Sequence, residues 1–97
     1  MARQLYRFRV SDHAAVVFRT LHPQIKRKLK AAFQTISTDP FAGKALTEEL
    51  SGLRSFRVSR FRVIYRIGQD KMIEIVTVGP RERIYEETYR LIQKSEK

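Results

Sequence analysis

The chain has 97 residues and a formal net charge of +10, with 42% hydrophobic and 31% charged residues. This composition excludes a disordered tail and predicts a single folded domain over residues 1–97. The absence of cysteine excludes disulfide bonds, thiolate metal sites and a cysteine nucleophile.

The sequence has neither the apolar start of a secretory signal nor the roughly 20 consecutive apolar residues of a membrane span. We therefore expect a cytoplasmic protein with no membrane partner. The excess of Lys and Arg attracts polyanions or an acidic protein, although it is also typical of a well-solvated surface. The positions of the charges must decide between these readings.

The first predicted element is a strand over residues 4–10, in which apolar side chains alternate with Arg7 and Arg9. A short helix follows, capped by Ser11 or Asp12.

A second helix begins at Pro23, which suits a first helical turn. The apolar stripe of this second helix consists of Ile25, Leu29, Ala32, Phe33 and Ile36. Its other side is basic, with Lys26, Arg27, Lys28 and Lys30. This basic side is either a solvated helix face or a phosphate-facing surface.

Residues 39–52 read as an irregular connection in which Leu46 and Leu50 pack against the core. Alternating patterns then predict two strands from Leu53 to Ile67, and a largely apolar strand, covered on both faces, from Met72 to Val78. Gly79 and Pro80 end that strand. A final amphipathic helix follows. The predicted fold is α+β: an N-terminal strand, a helical hairpin, a three-stranded antiparallel meander that joins the first strand in one sheet, and a C-terminal helix.

The two strands after Leu53 bring arginines together. If Ser59 and Arg60 form a two-residue turn, Arg57 lies directly opposite Arg62. Like charges in such a pair are unfavourable, and an anion lying across the sheet would compensate them, because guanidinium groups grip phosphate with two parallel hydrogen bonds. The alternative is that these charges only discourage edge-to-edge pairing of the sheet.

Further arginines surround this pair, and we expect them to converge on one concave side of the molecule. They are Arg54, Arg60 and Arg66 in the strands and Arg81 and Arg83 after the last strand. Tyr65 and Phe61 alternate with the arginines, so we expect both to pack in the core.

Residues 53–65, LRSFRVSRFRVIY, and residues 78–85, VGPRERIY, resemble the RelE/ParE superfamily of bacterial toxins. The resemblance extends over essentially the whole chain and includes the helix that begins at residues 22–26, HPQIK. It implies a RelE-like, microbial-ribonuclease-type fold and the role of toxin in a toxin–antitoxin pair.

In the ribonuclease branch of that superfamily, basic residues of the sheet bind messenger RNA on the ribosome. The 2′-hydroxyl of the RNA is the nucleophile, and no metal or cofactor is used. By position, the resemblance assigns Arg57, Arg62 and Arg81 to the catalytic set, with Tyr85 orienting the RNA or stacking on a base. Tyr85 can equally be a buried anchor of the last helix. The candidate RNA-binding residues are Arg54, Arg60, Arg66, Arg83, Lys26, Arg27 and Lys30.

Two positions depart from the pattern of the relatives. Ser55 stands where relatives can carry a lysine, and Pro80 where many have a histidine. No general base is therefore visible, since arginine is a poor proton acceptor and we expect His13 and His22 to be surface or capping residues of the helical hairpin. Electrostatic stabilisation of the transition state by fixed guanidinium groups remains.

The resemblance leaves two other functions open. ParE-type members poison DNA gyrase and need no ribonuclease centre, and a basic module of this size can also bind nucleic acid without catalysis. The implied partner is a small antitoxin whose acidic, partly disordered segment covers the arginine face, displaces the last helix, or does both. Operator DNA would be bound only through that antitoxin.

Overall fold

Strands in which apolar and charged residues alternate, together with one largely apolar strand, form a single five-stranded sheet. The structure, a computed structural model, describes residues 5–95. The strands are β1 (Arg7–Val10), β2 (Lys44–Ala45), β3 (Arg54–Val58), β4 (Phe61–Ile67) and β5 (Met72–Pro80). Their order across the sheet is β1-β5-β4-β3-β2. The helices are α1 (Asp12–Thr20), α2 (Pro23–Thr38) and α3 (Ile84–Ser95).

Strands β3, β4 and β5 form an antiparallel meander, and β1 joins it by pairing parallel to β5. The predicted α+β fold is therefore confirmed. The turn between β3 and β4 consists of Ser59, which has a φ of 58°, and Arg60.

One additional strand and two strand boundaries differ from the prediction. Two residues of the connection, Lys44 and Ala45, form the edge strand β2, which is too short to leave a periodic pattern in the sequence. Strand β5 ends at Pro80 and so extends two residues beyond the predicted end at Val78, because Gly79 and Pro80 are both paired with β4. The first strand begins at Arg7 rather than at Gln4, and Gln4 lies outside the described residues.

Helices cover the sheet on both faces, and a separate group of buried side chains fills each side. On the α1/α2 face the buried residues include Leu29, Ile36, Val63, Tyr65, Ile73 and Ile75. On the α3 face they are Leu53, Ile64 and Ile84, with Leu46, Leu50, Val76 and Ile92 packed against them. The predicted packing of Leu46 and Leu50, and the coverage of β5 on both faces, are therefore confirmed.

Side-chain caps fix the starts of the first two helices. Ser11 Oγ accepts a hydrogen bond from the Ala14 amide at 3.0 Å and donates to the Val76 carbonyl at 2.8 Å, which ties α1 to β5. His22 Nδ1 accepts from the Gln24 amide at 3.1 Å, so the prediction of a capping histidine is confirmed. No helix within residues 5–95 is long and apolar enough to cross a membrane.

Candidate nucleic-acid interface

A row of three residues crosses the sheet beside the start of α3. Arg57 of β3 opposes Arg62 of β4, and Arg62 in turn opposes Gly79 of β5. Arg62 lies on the same face as Ile64, because residues two apart in a strand share a face, and Ile64 packs against Ile84 of α3. The predicted opposition of Arg57 and Arg62 is thus confirmed, on the α3 face.

The two guanidinium groups of this row, which we call the arginine pair, are not neutralised. Neither Arg57 nor Arg62 forms an ion pair with any carboxylate of residues 5–95. Arg62 is half-buried and donates from Nη1 to the Phe61 carbonyl at 3.2 Å, whereas Arg57 is exposed. Two adjacent cations cost stability, and an anion bound to both would remove that cost.

The segment after β5 brings a further arginine to the same end of the sheet. The Arg81 amide donates to the Arg60 carbonyl at 2.9 Å, which fixes the start of that segment to the β3–β4 turn. The Arg81 side chain is exposed, with Nε 3.6 Å from Glu82 Oε1. Arg60 and Arg83 are also exposed, and the described part of the chain supplies no ion-pair partner for either.

Tyr85 lies in the first turn of α3 and remains 40% exposed. Its hydroxyl donates to Ser55 Oγ of β3 at 3.3 Å. Ser55 is itself buried. The Tyr85 hydroxyl is therefore hydrogen-bonded to the sheet while the residue stays partly exposed to solvent. Such a position allows the ring to contact a base.

Arg54 corrects the prediction that all these arginines converge on one side. It opposes Tyr65, which is buried on the α1/α2 face, so Arg54 points away from the arginine pair. Its Nε and Nη2 donate to the Gly43 carbonyl at 3.0 and 2.7 Å, and Nη2 also donates to the Phe41 carbonyl at 3.2 Å. The guanidinium lies 5.2 Å from the centre of the Phe41 ring. Arg54 thus holds the connection before β2.

Tyr65 also holds the connection before β2, and we call Arg54 and Tyr65 together the clamp on this connection. Its hydroxyl donates to the Pro40 carbonyl at 2.6 Å and accepts from the Gly43 amide at 3.0 Å. Burial raises the pKa of Tyr65, and the Gly43 amide and the Arg54 charge only partly oppose that effect. The predicted core positions of Tyr65 and Phe61 are confirmed.

Four other candidate RNA-binding residues also lie away from the arginine pair. Arg66 points to the α3 face but forms an ion pair with Glu74, its cross-strand neighbour. The basic residues of α2 lie on the helical layer over the opposite face of the sheet: Lys26, Arg27 and Lys30. The Lys26 ammonium lies 5.9 Å from the centre of the Phe18 ring.

One acidic residue that sequence reasoning missed reaches this site. The Glu87 carboxylate of α3 lies over Gly79, at the end of the row formed by Arg57, Arg62 and Gly79. Only the absence of a side chain at Gly79 hints at this approach in the sequence. Within residues 5–95, no three His, Asp or Glu side chains group as a metal site requires.

Comparison with known proteins identifies relatives of the chain. A family described as the ParE toxin of the type II toxin–antitoxin system parDE matches residues 9–85. A chain of the toxin–antitoxin complex RelBE2 from Mycobacterium tuberculosis is 31% identical, over 79% of this chain and 99% of that one, with a TM-score of 0.72. No curated protein sequence matched the chain.

Two more distant structures share the fold. A mutant of the Escherichia coli toxin RelE in the free state has a TM-score of 0.74 at 19% identity, covering 94% of this chain and 97% of that one. A chain of the archaeal RelE–RelB complex from Pyrococcus horikoshii has a TM-score of 0.65 at 23% identity, over 80% of this chain and 97% of that one.

Proposed function

Because the chain belongs to the RelE/ParE superfamily of toxins from type II toxin–antitoxin systems, we propose that it cleaves messenger RNA on the ribosome and so stops translation. The nucleophile is the 2′-hydroxyl of the RNA itself, so the protein acts as an endoribonuclease in the cytoplasm, where ribosomes are found. The proposal includes no metal or cofactor, because guanidinium groups supply the positive charge that the transition state needs.

The arginine pair carries this proposal. Arg57 and Arg62 lie side by side without a carboxylate partner within residues 5–95, an arrangement that costs stability and that a bound phosphate would compensate. Guanidinium groups bind phosphate oxygens through parallel hydrogen bonds, which fixes both the charge and the orientation of the phosphate.

In the proposed reaction, the 2′-oxygen attacks the adjacent phosphorus in line with the leaving 5′-oxygen. Negative charge builds up on the phosphate oxygens, where Arg62 and Arg81 stabilise it and Arg57 assists. Losing one preorganised donor of this kind typically slows a reaction by about 100- to 1,000-fold. The exposed ring of Tyr85 stacks on a base or orients the RNA.

We assign the remaining cations different roles. Arg60 and Arg83 are exposed near the same end of the sheet and contact the RNA backbone. Lys26, Arg27 and Lys30 cover a separate surface on α2, where they contact a more distant part of the ribosome–messenger complex. Arg54 and Arg66 are already engaged, with backbone carbonyls and with Glu74, so we leave both out of the RNA-contacting set.

The proposed partner is a cognate antitoxin. Complexes of toxin and antitoxin occur among the similar structures from Mycobacterium tuberculosis, Pyrococcus horikoshii and Escherichia coli. An acidic segment of the antitoxin would cover the arginine pair, and the excess positive charge of +10 favours such a segment over any neutral one. Operator DNA would bind to the antitoxin within that complex.

Two observations favour a second function, the inhibition of DNA gyrase. The matching family is described as the ParE toxin, and the chain carries Ser55 and Pro80 where ribonuclease relatives can have lysine and histidine. Gyrase inhibition needs no chemistry from the toxin, so it tolerates both replacements.

A translating extract and a gyrase supercoiling assay, run with the same protein preparation, distinguish the two functions. Messenger RNA cut within codons, with supercoiling unaffected, supports the ribonuclease. Inhibited supercoiling with intact messenger RNA assigns the gyrase function instead. If neither occurs but the protein binds RNA with a strong dependence on salt, the chain is a binding module.

A further inference from the structure

Removing the proton from a 2′-hydroxyl requires an acceptor, and the guanidinium groups of the site are poor ones. Three glutamates lie at the start of α3 or just before it. Glu82 lies 3.6 Å from Arg81, and Glu86 forms an ion pair with Arg90. Glu87 alone of the three has no ion-pair partner within residues 5–95.

The half-buried Glu87 reaches the row of the arginine pair through the space left by Gly79. A Cβ atom added at Gly79 would lie 2.9 Å from Ile84 Cδ1 and 3.3 Å from Glu87 Oε1. The carboxylate therefore sits directly over this glycine. Gly79 is the cross-strand neighbour of Arg62, which is opposed to Arg57 on its other side. The Glu87 carboxylate of α3 therefore lies at the β5 end of the row that begins with the two arginines.

The first turn of α3 contacts the two outer strands of this row, β3 and β5. Tyr85 and Glu87 are two residues apart and so project from nearly opposite flanks of the helix. Tyr85 reaches Ser55 on β3, Glu87 reaches Gly79 on β5, and Arg62 lies on β4 between the two strands. A phosphate held by the arginine pair would thus have the Tyr85 ring toward β3, two residues along the strand from Arg57, and the Glu87 carboxylate toward β5.

We propose that Glu87 is the general base of the reaction, an inference that rests on the proposed ribonuclease function. Its carboxylate accepts the proton of the attacking 2′-hydroxyl while the bond from the 2′-oxygen to phosphorus forms. The bond from phosphorus to the 5′-oxygen breaks, the departing oxygen takes a proton from water, and the hydroxide that remains takes the proton back from Glu87. The products are a 2′,3′-cyclic phosphate and a 5′-hydroxyl, with no other reactant needed.

The ordinary structural role for an acid in this position is interaction with the positive end of the helix. Glu86 occupies the same turn and fills that role equally well, while it points to solvent and pairs with Arg90. Glu86 is therefore the matched control. Glu87 borders a cleft between α1 and α3 together with three charged or titratable residues, His13, Arg90 and Lys94, and Arg62 is the cross-strand neighbour of the glycine beneath its carboxylate.

The test measures single-turnover cleavage of messenger RNA in a ribosome-containing extract as a function of pH, for wild type and Glu87→Gln. We expect Glu87→Gln to slow cleavage by about 100-fold or more and to abolish the loss of rate at acidic pH. Binding of a messenger analogue with a 2′-deoxy group at the cleavage position should be unchanged or tighter, because a negative charge is removed. Glu86→Gln and His13→Gln should keep both the rate and its pH dependence.

The inference is overturned if Glu87→Gln cleaves at the wild-type rate, or if the acidic loss of rate persists in it or disappears in His13→Gln instead. Should Glu87→Gln unfold, Glu87→Asp replaces it, and cleavage that keeps the wild-type pH dependence is the expected result. A wild type that leaves messenger RNA intact overturns the proposed function together with this inference. Wild-type cleavage with an unaffected Glu87→Gln overturns only the role of Glu87.

Discussion

Arg57 and Arg62 occupy directly opposed positions on neighbouring strands, and neither is paired with a carboxylate of residues 5–95. This arrangement predicts that removing one arginine lowers activity without lowering the free energy of unfolding. Arg62→Ala should slow messenger cleavage by about 100- to 1,000-fold. The same substitution should leave the free energy of unfolding unchanged or raise it by up to about 1 kcal/mol, because it removes a like-charge contact.

Arg19→Ala is the control for that experiment, since Arg19 is an exposed arginine of α1 on the other side of the sheet. It removes the same charge and should leave the cleavage rate near that of the wild type. Chemical denaturation and single-turnover cleavage, measured on the same samples, check both parts. A large loss of stability in Arg62→Ala would mean that the arginine pair is structural.

Two substitutions of Tyr85 test the role of its ring and the role of its hydroxyl separately. If the ring stacks on a base, Tyr85→Phe should retain most of the activity, while Tyr85→Ala should lose about 5- to 150-fold, the equivalent of about 1–3 kcal/mol of stacking. The hydrogen bond to Ser55 is long, at 3.3 Å, so its removal should cost little stability. Equal loss in both variants would assign the role to the hydroxyl.

The clamp on the connection before β2 predicts two destabilising substitutions. A Cβ atom at Gly43 would overlap the Tyr65 hydroxyl and lie 2.9 Å from Tyr65 Cε1, so Gly43→Ala should lower the melting temperature. Arg54→Ala removes donors to two backbone carbonyls and should cost about 1–3 kcal/mol. Differential scanning calorimetry checks both effects.

Arg60→Ala is the control for Arg54→Ala, because the Arg60 side chain is exposed. The hydrogen bond that the Arg60 carbonyl accepts from the Arg81 amide involves only the backbone and is kept in this variant. The substitution should leave the melting temperature unchanged while it weakens RNA binding. The reverse pattern, with Arg54→Ala stable and Arg60→Ala unstable, would contradict the placement of these two arginines.

The raised pKa of Tyr65 predicts a loss of stability at high pH. Burial favours the neutral phenol in the folded state, so the unfolded state releases its proton first as the pH rises above about 10. The stability contributed by Tyr65 is complete below that pH and should fall above it by up to about 1.4 kcal/mol per pH unit.

Tyr65→Phe removes this titration, so its unfolding free energy should depend less steeply on pH above that point. The variant should start from a lower stability at neutral pH, because the buried Gly43 amide loses its acceptor. Urea denaturation at several pH values gives both quantities. If the free energy of unfolding depended on pH in the same way in both proteins, the loss of stability at high pH could not be assigned to Tyr65.

The order of elements and the opposition of Arg57 and Arg62 could be read from the sequence, because period-two alternation and a two-residue turn fix strand register. The same alternation places Arg54, three residues from Arg57, on the opposite face, but the partners of its side chain could not be predicted. Its partners are carbonyls of Phe41 and Gly43 in an irregular segment with no periodic pattern. Its role depends on where that segment folds back over the sheet.

Glu87 escaped sequence reasoning for a similar reason. In the sequence it is one of several acids on the polar side of a helix, and nothing distinguishes it from Glu86. Only the packing of α3 over the sheet brings its carboxylate to Gly79, while Glu86 turns to Arg90. The end of β5 was misjudged because glycine and proline usually end a strand, whereas here the missing side chain of Gly79 makes room for α3.

Messenger cleavage by the arginines of the site is tested by inducing the wild type and the double variant Arg62→Ala plus Arg81→Ala in growing cells, followed by primer extension on total RNA. We expect new messenger ends within codons for the wild type and none for the double variant at equal protein levels. Identical ends from both proteins, or growth arrest by the wild type with messenger RNA intact, would contradict this expectation.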